Sequence, residues 1–494
     1  VSSAHQVVSR SLIIPLILVI LFVTVVVRLP FYDVNYIDWD EATYILMGAD
    51  LLKGYLPYEN LWEIKPPLVF YSYALFLGLF GGDVQAIRLG SMLWSAGTAL
   101  VCFLTLLRFT NTAGAAVSAL LVAVFSALAV DGSGNVDGQA FLTEHAAMLP
   151  FALSILYWSR QAPYLAGLFA GATAFMRPAL ALACLVLIFF PTFGEHYFKS
   201  LLKRALGLAS IPLAFCLIYY AYDLFDRFML TNYDIPRSVA ENRPLRDSGK
   251  LLTKLRGNFL QQIEGGWWFL LSLSTLGIVQ LRERFGVMLL VTTLAVAAGI
   301  YISGAAHAHY FLQLVVPLSL LAGYAFKSRV LKVGTFALSA IFAFHYLSIY
   351  RAYWDRPPDD LIDRIAAEFE ARELHTKRFL CLDYHILYHR FGKEPPIKPI
   401  HPSIYGKPFI LEPVSQLGEG YSFTTSSIMP TIFEPRPAAV LKKRHTWYMN
   451  GNQKTYMVKV LTEEYQLVKT FSNVALLYVR NDLVAQQTNG TPLK

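Results

Sequence analysis

Asp38-Trp39-Asp40-Glu41 opens the stretch on which the reading of this chain turns. The stretch continues through Tyr55-Leu56-Pro57-Tyr58 to Trp62-Glu63-Ile64-Lys65-Pro66-Pro67 and follows directly on an apolar run from Leu12 to about Val27. A run of that length and composition reads as a membrane helix. Carboxylates and a lysine therefore stand where the chain surfaces from a bilayer, and everything downstream reads as a frame for that loop.

Composition points the same way. Of 494 residues, 55% are hydrophobic, 14% aromatic and only 15% charged, with a mean hydropathy of +0.44, outside the soluble globular range. The formal charge of +8 is carried mostly by short connectors between apolar runs, as the positive-inside rule requires, so nucleic-acid binding is excluded. Cys102, Cys184 and Cys216 fall in apolar runs and Cys381 stands alone in the polar C-terminal part; no disulfide framework or CxxC metal site is readable. The first run is flanked by Arg10 and Arg28, with no small-residue cleavage site after it, and reads as a retained helix rather than a signal peptide.

The expected fold is a polytopic α-helical membrane protein with about eleven crossings, juxtamembrane helices in its outer loops, and a small C-terminal α/β extracytoplasmic domain. Apolar runs lie at about 12–28, 88–107, 113–130, 144–159, 162–176, 178–193, 205–222, 266–281, 285–302, 308–325 and 330–349. A further apolar helix over 67–81 begins at Pro66-Pro67 and ends at Gly81-Gly82. Reading it as interfacial or re-entrant puts the cationic connectors on one side: the N-terminus, the turns at Arg108 and Arg160, the segment with Lys199, Lys203 and Arg204, the turn Arg282-Glu283-Arg284, and Lys327 to Lys332. Loops 29–87, 131–143 and 223–265, the turn Gly304–His307 and everything after about 350 then share the outer side.

From Trp354 charges return and prolines cluster, so residues 1–350 are expected as the transmembrane domain and 351–494 as a separate domain. Within the latter, Asp360–Arg372 has helical spacing, while 379–382, 438–441, 465–469 and 474–479 read as strands. A flexible tail is expected from about Ala485.

Most ionisable groups lie outside the spans, which disfavours an ion-coupled transporter, since such proteins keep a coupling charge near mid-membrane. Asp38, Asp40 and Glu41 crowd one short segment, and Asp131, Asp137 and Glu144 belong to a second outer loop. A carboxylate beside an apolar surface and another carboxylate has its charged form disfavoured, which suits a general base; a helix N-cap is the plainer reading. Lys65 is the sole cation between Lys53 and Arg88, placed at headgroup depth for a lipid phosphate or as a snorkelling anchor. Arg237, Arg243, Arg246 and Arg256 enrich loop 223–265, and a guanidinium forks onto phosphate. His309-Tyr310 sits at an outer helix end. Tyr36, Trp39, Tyr44, Tyr55, Tyr58 and Trp62 are candidates for sugar stacking or for an interfacial belt.

Asp40-Glu41, Leu52-Lys53-Gly54-Tyr55-Leu56-Pro57-Tyr58 and Lys65-Pro66-Pro67-Leu68, together with His309-Tyr310-Phe311-Leu312 and Pro317, resemble the signature of the dolichyl-phosphate-mannose protein mannosyltransferase superfamily. Bacterial members of these type C glycosyltransferases include the lipid A aminoarabinose transferase and the lipopolysaccharide-core galacturonic acid transferases. Ile64, between Glu63 and Lys65, departs from the former, in which Glu and Lys are adjacent. The resemblance spans about residues 10–350. It implies Asp40 as catalytic base supported by Glu41, Lys65 and Tyr310 at the donor phosphate, and an acid from the second outer loop, for which Glu144 is chosen over Asp137. His309, Arg237 and Arg243 complete the expected phosphate contacts. The implied reaction moves one sugar from a polyprenyl-phosphate donor to a lipid or glycan acceptor, lipid A or lipopolysaccharide core foremost, with inversion. It is expected at the periplasmic face of a bacterial inner membrane, with the N-terminus cytoplasmic. Metal dependence stays open: Asp40, Glu41 and an acid of loop 131–144 could hold a divalent ion, and no His/Cys spacing demands one. A lipid-linked-sugar flippase, a protein O-glycosyltransferase and a polymerase or ligase with a pyrophosphate donor are the other readings.

Overall fold

The computed structural model describes residues 10–129, 137–191, 196–242, 248–304, 307–327, 341, 346, 351, 360–417 and 424–488. Along the chain come α1 (Arg10–Arg28), α2 (Trp39–Leu52), α3 (Leu68–Phe80), α4 (Val84–Leu106), α5 (Thr112–Phe125), α6 (Thr143–Ser159), α7 (Pro163–Met176) and α8 (Ala181–Phe189). Then follow α9 (Tyr197–Ala221), α10 (Phe225–Met229), α11 (Ile235–Asn242), α12 (Ser248–Gln262), α13 (Trp268–Val279), α14 (Arg284–Ile302) and α15 (Val315–Gly323). Every run expected to cross between 12 and 325 contains a helix, while most of 330–349 lies outside the described residues. Among the described residues, five helical runs are long and apolar enough to cross a membrane: Leu12–Phe31, Val84–Leu106, Tyr197–Ala221, Arg284–Ile302 and Ala308–Lys327.

Contacts divide the chain into two compact units. The first takes Val1–Asp33, Gln85–Ile218 and Pro244–Pro357; the second takes Val34–Val84, Tyr219–Arg243 and Pro358–Lys494. The C-terminal segment thus shares its unit with two loops from the earlier part of the chain.

In the first unit, α1 exposes Ile14, Leu18 and Phe22, and α9 exposes Leu202, Leu206, Leu213 and Leu217, apolar stripes that water would not tolerate and lipid would. Connectors grouped above by their cations meet: Asn111 Nδ2 donates to the Phe326 carbonyl at 2.8 Å, Lys327 pairs with Glu283 at 2.6 Å, and Phe109 stacks on Phe285 at 3.9 Å. Past the far end of α5, the buried Arg28 guanidinium donates to Ser126 and Ser91. One connector differs from expectation. Lys199, Lys203 and Arg204 lie inside α9, and Arg204 is fully buried, donating to the carbonyls of Leu187 at 3.1 Å and Phe190 at 2.7 Å. It caps the C-terminal end of α8, whose last carbonyls lack helical partners and carry partial negative charge.

Without a strong hydrophobic drive inside lipid, helices associate where small residues let backbones touch. Gly167 and Gly171 of α7 lie directly against the Arg204 and Leu208 backbone of α9, with Gly207 against Tyr164.

The second unit holds a four-stranded sheet of β1 (Phe379–Cys381), β2 (Ala439–Lys443), β3 (Tyr465–Phe471) and β4 (Ala475–Arg480) in the order β1-β2-β4-β3. β1 runs parallel to β2, and β4 antiparallel to both β2 and β3. Ser472 and Asn473 take φ of 45° and 57°, the doubly positive turn whose twist suits a two-residue hairpin. Around the sheet lie α16 (Leu361–Ala371), α17 (Ile386–Arg390), α18 (Pro408–Ser415), α19 (Ile428–Phe433), α20 (Gly451–Glu464) and α21 (Asn481–Thr488); the last occupies the start of the expected tail, and 489–494 lie outside the described residues. Helix α3 starts after Pro67, ends at Gly81 with φ of 101°, and at 13 residues is about 20 Å long, short of a bilayer. It packs on α2, with Gly48 against Tyr73.

A branched side chain at Gly167 meets the α9 backbone, which has no rotamer to yield. Gly167→Val is expected to cost about 1–3 kcal/mol and to lower the thermal midpoint in detergent. Gly257→Ala in α12, where an added methyl meets nothing within 4 Å, is expected to leave it unchanged or raise it.

Candidate functional site

Asp38 is the N-cap of α2: its carboxylate accepts from the Asp40 backbone N–H at 2.7 Å. That satisfies one donor of the first turn and commits Asp38 to structure. Asp40 is thereby aimed by a fixed helix start. Its Oδ1 receives His401 Nε2 at 2.7 Å, its Oδ2 receives the Tyr44 hydroxyl at 3.2 Å, one turn on, and Lys65 Nζ stands 3.7 Å from Oδ2.

Each partner is fixed in turn. Trp62 and Pro399 form a parallel β-bridge, with Trp62 N donating to the Lys398 carbonyl at 2.8 Å, so the chain after Pro399 carries His401 alongside Glu63 and Lys65. The loop bearing Lys65 is pinned by the Tyr58 hydroxyl on the Lys65 carbonyl at 2.6 Å, by Trp62 Nε1 on Thr231 at 2.9 Å, and by Arg227 on the Tyr58 and Glu59 carbonyls. On His401, Nδ1 accepts the Ser403 backbone N–H at 3.2 Å. In the neutral ring this assigns the proton to Nε2 and makes it the donor to Asp40. The Trp39 ring meets His401 at 4.7 Å. His401 and Glu63 are buried, whereas the Lys65 and Asp40 side chains keep 24% and 22% of their surface open. A carboxylate and an ammonium are thus the more open groups of this cluster.

Glu41 is one residue on from Asp40 and so about a quarter-turn round the helix; it is buried. Arg237 lies exposed on α11, paired with Glu241 at 2.9 Å. Arg243 and Arg246 lie outside the described residues.

The remaining expected residues belong to the first unit. Glu144, in the first turn of α6, is buried and paired with Arg177 at 2.7 Å. Arg177 also donates to Thr143 at 3.2 Å, and its guanidinium lies 4.1 Å from the centre of the Tyr310 ring. His309 Nδ1 meets Asp137 Oδ2 at 3.1 Å. The acid chosen as a catalytic partner is thus the anchor of an arginine, and that arginine is the residue stacked on Tyr310. Among the described residues no group of three or more His, Cys, Asp or Glu side chains is disposed to hold a metal ion.

Two residues of these clusters were not read from sequence. Arg177, between the apolar runs 162–176 and 178–193, sits at a turn that the alternation of crossings assigns to the outer side, a usable signal. His401 carries none: it is 361 positions from Asp40.

Residues 64–220 match the profile of the family described as dolichyl-phosphate-mannose-protein mannosyltransferase. No curated protein sequence matches the chain. Among solved structures, ArnT from Cupriavidus metallidurans bound to undecaprenyl phosphate superposes with a TM-score of 0.63 at 14% identity, over 96% of this chain and 99% of that one; its apo state gives 0.59 at 13% identity, over 95% and 97%. AglB from Archaeoglobus fulgidus, in complex with an inhibitory peptide and a dolichol-phosphate, gives 0.50 at 11% identity, over 87% and 69%. At these identities the likeness is one of fold.

Electrostatics of the Asp40 cluster set a pH dependence. Burial pushes the His401 pKa down, but the hydrogen bond and charge of Asp40, aided by Glu63, outweigh it and hold the value above the usual range. Burial raises Glu63 and takes the neighbouring His385, which accepts no such carboxylate, down to about 3. A histidine whose folded pKa is raised stabilises fully below its unfolded value of about 6.5 and loses that contribution as pH rises through the folded value. The difference in thermal midpoint between wild type and His401→Gln is therefore expected to be larger at about pH 6 than at about pH 9; an equal or wider gap at the higher pH would contradict the pairing.

Proposed function

We propose that this chain, which resembles the type C glycosyltransferases of the dolichyl-phosphate-mannose protein mannosyltransferase superfamily in sequence and in fold, transfers a single sugar from a polyprenyl-phosphate donor to a hydroxyl of a lipid or glycan acceptor. The observation that carries the reading is the Asp40 carboxylate held 3.7 Å from Lys65 Nζ, both partly open, on a helix start fixed by its own N-cap. Undecaprenyl phosphate in the ArnT structure and dolichol-phosphate in that of AglB support a polyprenyl phosphate as the lipid.

Asp40 accepts the proton of the acceptor hydroxyl as its oxygen bonds to the anomeric carbon. The bond from that carbon to the phosphate oxygen breaks, and its electron pair leaves with the polyprenyl phosphate, whose charge Lys65 balances. Direct displacement inverts the anomeric centre. His401 holds Asp40 in the orientation that receives the proton. On this reading Arg177, fixed by Glu144 and spread over Tyr310, is a further anion-binding group. The setting is the periplasmic face of a bacterial inner membrane, with lipid A or lipopolysaccharide core as the favoured acceptor.

In a transfer assay with purified protein and a polyprenyl-phosphate sugar, Asp40→Asn is expected to lower turnover by about 100-fold or more while leaving undecaprenyl phosphate affinity intact. Lys65→Ala is expected to weaken that affinity by about ten- to a hundredfold. Near-normal turnover in both folded variants would sink the proposal.

A further inference from the structure

The first turn of α2 rests on the ends of two parallel strands. The Tyr36 hydroxyl donates to the Asp383 carbonyl at 3.1 Å. His385 Nε2 lies 2.7 Å from the Thr43 hydroxyl and 3.0 Å from the Trp39 carbonyl. Asp383 and His385 follow β1; Lys443 closes β2, and the loop Arg444–Asn450 leaves from the same edge. Trp39, the residue next to Asp40 in sequence, lies against this carboxyl edge of β1 and β2, its carbonyl on His385 and its ring beside Lys443.

That edge has a definite chemistry. Trp39 is half-buried and meets Trp447 at 5.6 Å and Tyr448 at 5.6 Å, while Trp447 is 68% exposed. Lys443 Nζ lies 5.6 Å from the Trp39 ring centre and 5.8 Å from those of Tyr36 and Tyr384. Among the described residues no carboxylate closes an ion pair with it. Its neighbour differs: Lys442 Nζ is turned back onto the Lys443 carbonyl at 2.7 Å. Asp383 is buried; its Oδ2 accepts from the Lys443 backbone N–H and the Tyr448 hydroxyl, its Oδ1 has no hydrogen-bond partner among the described residues, and its charge interacts with that of Lys443 without closing an ion pair. Arg444 and His445 add exposed cationic or protonatable groups to the same loop.

We propose that Trp39, Trp447 and Lys443 form the acceptor subsite, and that it selects a saccharide bearing a phosphate or carboxylate. This deepens the transferase reading and rests on it for the word acceptor; the binding itself does not. An exposed indole presents an apolar face with little conformational entropy to lose, which matches the C–H face of a sugar ring. An ammonium beside three rings that closes no ion pair among the described residues has room for a second anion besides the buried Asp383, and a saccharide anion supplies one. A neutral glycan would leave that position empty. Membrane anchoring, with Trp447 at the interface and Lys443 on a lipid phosphate, is the competing use of these groups, and association with vesicles reads it out.

The test is isothermal titration of the full chain in lipid nanodiscs with three probes: a phosphorylated glucosamine disaccharide, a digalacturonate, and neutral cellobiose. At least one anionic probe is expected to bind about tenfold or more tightly than cellobiose, and the tighter of the two identifies the anion. Lys443→Gln is expected to remove that preference, and Trp447→Ala to weaken every probe that binds. Undecaprenyl phosphate affinity is expected to stay at wild-type level in both variants, which also reports that they are folded. Equal binding of charged and neutral probes, unaltered preference in Lys443→Gln, or a Trp447→Ala defect confined to association with vesicles would overturn the proposal. Because no donor is present, these results are independent of turnover. Saccharide binding without transfer would leave the subsite standing and remove the enzyme, and transfer without anion preference would do the reverse.

Discussion

The hydrogen bond from His401 to Asp40 is the contact on which the second unit converges. A carboxylate at the second position of a helix is free to rotate unless something outside the helix holds it. Here a histidine, itself oriented by the Ser403 backbone N–H, holds one oxygen, and Tyr44 and Lys65 flank the other. Around that point the bridge between Trp62 and Pro399, the Asp38 cap and the docking of Tyr36 and Thr43 all bear on the position of one side chain. A charge-assisted bond of this kind contributes about 1.5–3 kcal/mol. Its larger effect is to hold that carboxylate in a single direction.

Local patterns were legible wherever short-range chemistry decides structure. Pro66-Pro67 and Gly81-Gly82 marked the ends of α3 because proline cannot continue a helix backward and glycine accepts the positive φ that ends it. The strands expected at 379–382, 438–441, 465–469 and 474–479 lie within two residues of β1 to β4, since alternation and a turn between them are encoded locally. Asp40 and Lys65 stood out as ionisable groups beside apolar runs, and the structure brings them together.

What escaped the reading is non-local. Nothing near His401 marks its partner, and nothing in loops 34–84 and 219–243 says that they group with residues 358–494 rather than with the helices they interrupt. Charge counting misread Arg204 for a related reason. A cation in a connector and a cation capping a neighbouring helix look alike until the helix boundary is known, and α9 begins at Tyr197, well before the apolar run. Glu144 was chosen because it opens a helix and is therefore fixed; what fixes it is the buried Arg177, which also lies over the Tyr310 ring.

The second unit is assembled from three stretches of chain that leave the ribosome at different times. Asp40 and Lys65 are made early, and His401 more than three hundred residues later. At about 5–20 residues per second the first loop waits roughly a quarter of a minute to a minute for the residue that orients its carboxylate. During synthesis the nascent protein already carries the carboxylate and the cation but not the group that aims them. The Asp40 cluster therefore forms late, once His401 has been made, and a ribosome that stops short of that segment releases a protein without it.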